Sequence, residues 1–244
     1  MLPVLVLASR SPHRAQVLER LGAPFETRDS EVDETPVAGE SPAQRAQRLA
    51  LAKARAVAAR WASPTPALVI GGDQVAHDGQ NLLRKPGTLA RARAQLLASR
   101  GQRITFESAL AVVHSGTGAF AQGAAPVQVR FAKLSEAEID AYLALEQPLD
   151  AAGALYSERL GAVLLEAWEG ADPSALIGLP LNLLHRLTTE LGWPLLSTPW
   201  GGEEVPKCCA RSALSNASRS LGRGASKCQG TCPGSRPGTV SAWA

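Results

Sequence analysis

The chain has 244 residues and 45% of them are hydrophobic, which is enough for one α/β domain with an extension or for two small lobes. Residues 1–199 carry 19 basic and 20 acidic side chains, whereas residues 200–244 carry 6 and 2, so the excess positive charge lies after residue 199. A near-neutral body gives no reason to expect stable binding to nucleic acid or to a membrane, since both require a concentrated basic surface. Small-molecule chemistry is the better prediction.

The N-terminus and the cysteines predict a cytoplasmic protein. The first apolar run covers only residues 2–8 and no basic residue precedes it, so it predicts neither a secretion signal nor a membrane span. The body has no thiol that could pair, bind metal or act as a nucleophile, because all cysteines lie after residue 200, at Cys208, Cys209, Cys228 and Cys232. The adjacent pair among them is not typical of a zinc site.

The first hundred residues alternate short apolar runs with helix-start signals. The run at residues 4–8 predicts a buried strand, and Ser11 followed by Pro12 predicts a helix that Gly22 ends. The next predicted elements are, in order, a strand at 25–28, an acidic loop at 31–36, a helix at 41–60, a strand at 67–70 and a helix at 88–98.

Strand and helix signals continue to alternate over the following hundred residues, up to about residue 199. Predicted here are strands at 104–113 and 127–131, a helix opened by a capping box of Ser135 and Glu138, two strands around a glycine-bearing turn within 152–168, and a helix with leucines at 181, 184 and 187. The class predicted is therefore α/β with a mixed sheet, over residues 1–199. Residues 200–244 contain 7 Ser and 7 Gly without apolar periodicity, and are predicted to be a disordered tail.

Residues 8–14, ASRSPHR, pass from a predicted strand into a helix N-terminus. Free backbone N–H groups at that point, together with Ser9, Ser11 and Arg14, would form an anion site suited to phosphate. Ordinary helix capping is the alternative, since Ser-Pro commonly opens helices.

Two acidic positions are candidates for metal binding and catalysis. Glu34 lies in the loop EVDETP, and Asp73 follows Gly71 and Gly72 just beyond a predicted buried strand. Carboxylates near a phosphate site can bind Mg²⁺ or Mn²⁺ and orient a water for attack. A solvated acidic loop is the alternative for Glu34. The two glycines permit close backbone approach, which a surface position would not require.

Lys53 in RLALAKARA and Lys85 in LRKPG can act as point charges on a phosphate chain. Each by itself is compatible with a solvated side chain. Together with the acids, they describe a site for a triphosphate and a metal ion.

The chain resembles the Maf-like nucleotide pyrophosphatases, in particular the branch that acts on 7-methyl-GTP. The resemblance covers about residues 4–196 and is carried, in order, by LASRSPHR, EVDETP, RLALAKA, GGDQV, LRKPGT, FAKLSEAEIDAYL, AGALYSE and DPSALIGLPL. It implies an elongated, two-lobed α/β fold and hydrolysis of a nucleoside triphosphate to the monophosphate and pyrophosphate with a divalent cation.

The resemblance also assigns roles to residues. It implies that Asp73 and Glu34 are catalytic and bind the metal, and that the phosphates are contacted by Ser9, Arg14, Lys53 and Lys85. It further implies that base preference is set by His13, Gln74 and Glu158. Gln74 and Glu158 indicate the 7-methyl-GTP branch, since a carboxylate can accept hydrogen bonds from the N1–H and the amine of guanine.

The sequence departs from the family pattern in three places. His13 stands where a larger aromatic residue is usual, Tyr156-Ser157-Glu158-Arg159 replaces KSEG, and Glu107-Ser108 replaces TG. A histidine offers less stacking area, so the sequence predicts a modest preference for 7-methyl-GTP over GTP.

Three alternatives remain open at this point: a pyrophosphatase for dTTP and UTP, one with broad specificity, and a catalytically weakened nucleotide-binding regulator of septum formation. The intact acids favour an enzyme, because a pure binder has no evident use for a carboxylate that orients water. The expected partner is a nucleoside triphosphate, and a homodimer is compatible with the sequence.

Overall fold

A computed structural model, which describes residues 2–198 and 200, contains one mixed sheet with the order β2-β1-β3-β5-β6-β7, and β4 pairs with β3. The strands are β1 Val4–Leu7, β2 Phe25–Thr27, β3 Ala67–His77, β4 Leu82–Leu83, β5 Arg103–His114, β6 Phe120–Phe131 and β7 Leu165–Glu169. The α-helices are α1 Pro12–Glu19, α2 Pro42–Ala59, α3 Leu89–Ser99, α4 Glu136–Glu146 and α5 Leu181–Glu190. Short 3₁₀ helices cover Ala152–Ala154, Leu160–Leu164 and Pro173–Ile177. The predicted mixed α/β class is confirmed.

The strand β1, next to the edge strand β2, runs parallel to both of its neighbours, β2 and β3. Its side chains alternate between two apolar clusters, with Leu5 and Leu7 on the side of α1 and α5 and Val6 on the side of α2. A strand that is covered on both faces has a continuous apolar sequence, and for this reason the apolar run at residues 4–8 predicts β1 well.

The strand β3 is longer than predicted. The prediction ended it at residue 70 and placed Asp73 beyond it, whereas Gly71, Gly72 and Asp73 all pair antiparallel with β5. A Cβ on Gly71 would lie 2.2 Å from the carbonyl oxygen of Ala50 in α2. The first glycine therefore lets a helix pack directly on the strand and does not end it.

The strand β6 also begins earlier than the predicted residue 127. Its first half holds Gly123 and Pro126, which have low intrinsic strand preference, yet both pair with β5. A Cβ on Gly123 would lie 2.9 Å from Leu183 Cδ1 of α5. Pro126 precedes the part of β6 that pairs with β7, so it lies at an edge that needs no N–H donor.

The prediction of two strands within residues 152–168 is wrong. Two 3₁₀ helices occupy this segment, and only its end forms the strand β7. Gly153 and Ala154 have positive φ angles of 68° and 55°, which a strand does not allow. Leu155, Tyr156 and Leu164 are buried through these turns. The apolar pattern therefore reflects burial of an irregular segment.

The predicted helix starts are confirmed. Ser11, Ser41, Thr88 and Ser135 are N-caps whose side chains accept from the backbone N–H three residues on, and Ser135 forms the expected capping box with Glu138. None of the helices within the described residues is long and apolar enough to cross a membrane. The prediction for residues 200–244 falls, apart from Trp200, outside the described residues and stays a prediction.

Candidate active site

A cavity of about 330 Å³ opens where β1 ends and α1 begins. In the described part of the chain, its wall includes every predicted site residue except Asp73: Ser9, His13, Arg14, Glu34, Lys53, Gln74, Lys85 and Glu158. These positions are spread over 150 residues of sequence and come together here through the sheet topology. The residues of the wall form two groups of contacts, one cationic and one containing aromatic rings.

The first group centres on Lys53 of α2. Its ammonium nitrogen lies 2.7 Å from Asp73 Oδ1 and 2.7 Å from Glu34 Oε1. Lys53 and Asp73 are buried, with 7% and 8% of their surface exposed, whereas the Glu34 side chain is 58% exposed. A buried ammonium requires such partners, because an unpaired charge in the interior is costly. We refer to Glu34, Lys53 and Asp73 as the acid–lysine cluster.

The charges around Glu34 lower its pKa. Partial burial raises the pKa of this carboxyl group, but the hydrogen bond from Lys53 and the charges of Lys53, Lys85 and Arg14 outweigh that effect. Glu34 therefore stays ionised below the usual range for a glutamate. An ionised carboxylate at the cavity wall is available to a cation or a water molecule.

Arg14 is fixed on the other side of the acid–lysine cluster. Its Nε donates to the carbonyl oxygen of Gly178 at 2.9 Å, and its Nη1 donates to Ser9 Oγ at 3.3 Å. Burial lowers the pKa of Arg14, and the charges of Asp73 and Glu34 oppose that shift. The guanidinium has five N–H donors, so donors remain that can bind a phosphate.

The loop that carries Glu34 is attached to α2 by arginines. Arg45 donates to the carbonyl oxygen of Glu34 at 2.8 Å, and Arg48 donates to that of Thr35 at 3.3 Å. Arg48 also binds Glu40 through two nitrogens, each 2.7 Å from a carboxylate oxygen. This bidentate pair lowers the pKa of Glu40 to about 2.

Arg60, at the other end of α2, holds the start of the same loop. It donates to the carbonyl oxygens of Asp29 and Ser30 at 2.6 and 3.0 Å, and to the carboxylate of Glu31 at 2.5 Å. Glu31 has a φ angle of 53°, which is unfavourable for a residue with a Cβ. The contacts of Arg60 stabilise this backbone conformation.

Gln74 is held by the protein through its amide nitrogen. Nε2 lies 2.9 Å from Ser108 Oγ, 2.9 Å from the carbonyl oxygen of Ala175 and 3.1 Å from that of Leu176. Because carbonyl oxygens only accept, these neighbours fix the orientation of the amide and leave Oε1 for a ligand. Ser108, one of the departures from the family pattern, also donates to Ala175 at 2.6 Å and so anchors the same segment.

The second group lies at the start of α1 and on residues 150–158. His13 Nδ1 is 2.6 Å from Glu158 Oε1, and the ring centroids of His13 and Tyr156 are 4.8 Å apart. The hydroxyl of Tyr156 donates to Asp150, whose side chain lies at the cavity wall. Burial, and then the carboxylate of Asp150, raise the pKa of the Tyr156 phenol, which is therefore neutral. We refer to His13, Asp150, Tyr156 and Glu158 as the ring cluster.

Sequence reasoning missed Asp150 and the arginines of α2. Nothing in the local pattern marks Asp150, which the structure places at the cavity wall. The arginines had a usable signal, since a helix rich in arginine follows an acidic loop in the sequence. Asp73 contacts Lys53, which lies on the cavity wall, but Asp73 is not itself part of the wall.

The fold and the cavity define an α/β protein whose site combines clustered cations and carboxylates with an aromatic recess, a class suited to nucleotide chemistry. A family model described as Maf-like protein matches residues 4–191, so the chain belongs to the Maf-like protein family.

Curated relatives with the name 7-methyl-GTP pyrophosphatase match over most of both chains. One from Burkholderia thailandensis is 50% identical over 198 residues, covering 81% of this chain and 92% of the relative. Another from Paraburkholderia xenovorans is 49% identical, covering 80% and 95%. A third from Nitrosococcus oceani is 48% identical, covering 80% and 96%.

Proposed function

We propose that this protein hydrolyses 7-methyl-GTP to 7-methyl-GMP and pyrophosphate. The observation that carries the proposal is the division of one cavity into a cationic part, suited to a triphosphate, and a part with rings and carboxylates, suited to a cationic purine. The names of relatives that are about half identical over nearly their full length support the same activity.

The cationic part would bind the triphosphate. Arg14 and Lys85 lie on the cavity wall, and Lys85 is exposed, so its ammonium can reach a ligand. Ser9 lies at the end of β1, next to the free N–H groups that begin α1, which favour anions. The ammonium of Lys53 has three donors and uses two on carboxylates, so the third can donate to a phosphate oxygen.

The carboxylates of Glu34 and Asp73 fit a divalent cation that is shared with the substrate. Both acids place an oxygen 2.7 Å from the ammonium nitrogen of Lys53, so the two carboxylates converge on the same point. Among the described residues, no group of three or more His, Cys, Asp or Glu could hold a metal unaided. Mg²⁺ and Mn²⁺ are commonly bound by one or two carboxylates together with substrate phosphates. When bound, such an ion would neutralise charge that develops on the phosphate oxygens.

The acids would also activate the attacking water. A carboxylate that is fixed on Lys53 can accept a proton from a water molecule as the water oxygen bonds to the α phosphorus. The bond from that phosphorus to the oxygen that bridges the α and β phosphates breaks, and pyrophosphate leaves with that oxygen. Asp73 would be the base, because its contact with Lys53 on the cavity wall holds it in one orientation, while the side chain of Glu34 is more exposed. Lys53 would keep both acids in place.

The ring cluster would bind the base. Glu158 and the Oε1 atom of Gln74 can accept from the donor edge of guanine, and the ring of His13 can stack on the base. A pyrimidine does not offer the same pair of donors. Action in the cytoplasm and assembly into a homodimer stay predictions.

The proposal is tested by the products and by the need for metal. Purified protein should convert 7-methyl-GTP to equal amounts of 7-methyl-GMP and pyrophosphate, followed by ³¹P NMR, and EDTA should abolish the reaction. Added Mg²⁺ or Mn²⁺ should restore it. Release of orthophosphate, or full activity in EDTA, would contradict the proposed cleavage or the proposed cation.

A further inference from the structure

The two departures from the family pattern at His13 and Tyr156 touch each other. Their ring centroids are 4.8 Å apart at an interplanar angle of 33°. The side chain of His13 is 22% exposed, while only 8% of Tyr156 is exposed. His13 is therefore the outer ring, and Tyr156 is the inner ring that supports it.

Tyr156 is held firmly enough to act as a support. Its backbone N–H donates to the hydroxyl of Tyr142 at 3.1 Å, and that hydroxyl in turn donates to the carbonyl oxygen of Ala154 at 3.2 Å. The guanidinium of Arg159 lies 5.8 Å from the centre of the Tyr156 ring and pairs with Glu146 at 3.0 Å. The ring of Tyr156 therefore has little freedom to move when a ligand binds.

The charges on the ring cluster favour a positively charged ligand. Glu158 contacts the outer ring, and Asp150 accepts from the hydroxyl of the inner ring. Donation to a carboxylate makes a phenol ring richer in electrons, which strengthens its attraction for a cation on its face. Methylation at N7 gives guanine a delocalised positive charge, whereas the guanine of GTP is neutral.

We propose that His13 and Tyr156 form a two-ring stack that, with Asp150 and Glu158, selects a cationic purine over a neutral one. Tyr156 is the specificity-determining residue, because it supplies the electron-rich ring behind the smaller ring of His13. The inference rests on the proposed function and assigns to Tyr156 a role that the acid–lysine cluster does not share. It also predicts a stronger preference for 7-methyl-GTP over GTP than His13 by itself would give.

The ratio of kcat/KM for 7-methyl-GTP to that for GTP tests this directly, since the two substrates differ only in the methyl group and its charge. Tyr156→Leu should lower the ratio by about tenfold. Tyr156→Phe keeps the ring but loses the hydrogen bond to Asp150, so it should lower the ratio by a smaller factor, about threefold at most. The matched control is Tyr142→Phe, which removes the hydroxyl that accepts from the backbone of Tyr156 but keeps both rings and both carboxylates of the ring cluster. It should change both substrates in parallel and leave the ratio unaltered.

A parallel fall of both substrates in Tyr156→Leu would show a merely structural role and overturn the proposal. If that variant does not fold, His13→Ala removes the outer ring at a partly exposed position and should lower the ratio by a similar factor. An unchanged ratio in His13→Ala would equally overturn it. If the wild-type protein hydrolyses neither substrate, the proposed function fails, and the stack is then tested by direct titration with 7-methyl-GMP and GMP. Equal affinity for the two would exclude it.

Discussion

Lys53 is a buried ammonium whose two partners are the acids of the site. Taking this charge out of water is costly, and the cost is offset only while Asp73 and Glu34 remain ionised and close. Binding of a cation or a phosphate at this point, as proposed, would change the partners of Lys53. The contacts that stabilise the fold in this region would then respond to substrate.

Changing Asp73→Asn should lower kcat by on the order of a hundredfold or more, since an amide neither takes a proton from water nor binds a divalent cation well. The measurement is pyrophosphate release well below the melting temperature, with the fold checked by circular dichroism. Asp78→Asn is a matched control, because Asp78 only accepts turn hydrogen bonds from Gln80 and Asn81. Near-normal turnover in Asp73→Asn would remove it from the catalytic group.

At the residue scale, the sequence predicted which side chains gather but not how they pair. Motif spacing cannot show that Lys53 joins Asp73 to Glu34, because that depends on the register of β3 against β5 and on the packing of α2. The contact between His13 and Tyr156 could not be predicted from the sequence either, since the segment that carries Tyr156 was predicted as a strand.

At the scale of elements, α2 and the loop before it together position the charged residues of the site. Gly71 lets α2 lie directly on β3, and this brings Lys53 to Asp73. From the same helix, Arg45, Arg48 and Arg60 bind carbonyl groups along the loop. The position of Glu34 is therefore set by helix packing as well as by its own contact with Lys53.

Arg60→Ala should loosen the start of this loop while leaving the core intact. Amide hydrogen exchange in residues 29–35 should become faster, and kcat/KM should fall by about two- to fivefold, as expected for loss of an exposed charged contact. Arg55→Ala is the control on the same helix, since Arg55 is exposed and lies over the ring of Phe120. Unchanged exchange in Arg60→Ala would show that the loop is held without this residue.

The elements that the sequence predicted well are those whose local signals agree with their surroundings. Capped helices and the doubly buried strand β1 belong to this group. The first half of β6 and the passage of β3 through Gly71 and Gly72 were missed, because pairing with β5 overrides the low strand preference of glycine and proline. Segment 151–164 was missed because its burial does not follow a period of two.

At the scale of the whole molecule, Trp200 belongs to the packed body. The sequence assigned it to the tail, yet its ring packs against the apolar cluster of β1, α1 and α5, and its Nε1 donates to the carbonyl oxygen of Leu195 at 3.2 Å. The family match ends at residue 191. We therefore expect Trp200 to contribute to stability, and the residues beyond 203 to be dispensable for catalysis.

A chain that ends at Glu203 should keep the kcat/KM of the full-length protein within about twofold and melt within a few degrees of it. A chain that ends at Pro199 should melt at a lower temperature, because it loses the partly buried ring of Trp200. The test is to measure thermal unfolding and pyrophosphate release for the full-length protein and for the chains that end at Glu203 and at Pro199. Loss of activity in the chain ending at Glu203 would give the tail a functional role.

The substrate itself tests the central claim most directly. We would measure kcat/KM for 7-methyl-GTP, GTP, dTTP and UTP on the wild-type protein and on Glu158→Gln. The wild type should be fastest on 7-methyl-GTP. Glu158→Gln should narrow or invert the preference, since an amide offers one acceptor oxygen in place of two, and a guanine donor that is left unpaired costs about 1–3 kcal/mol. A wild-type protein that is fastest on dTTP or UTP would contradict the account.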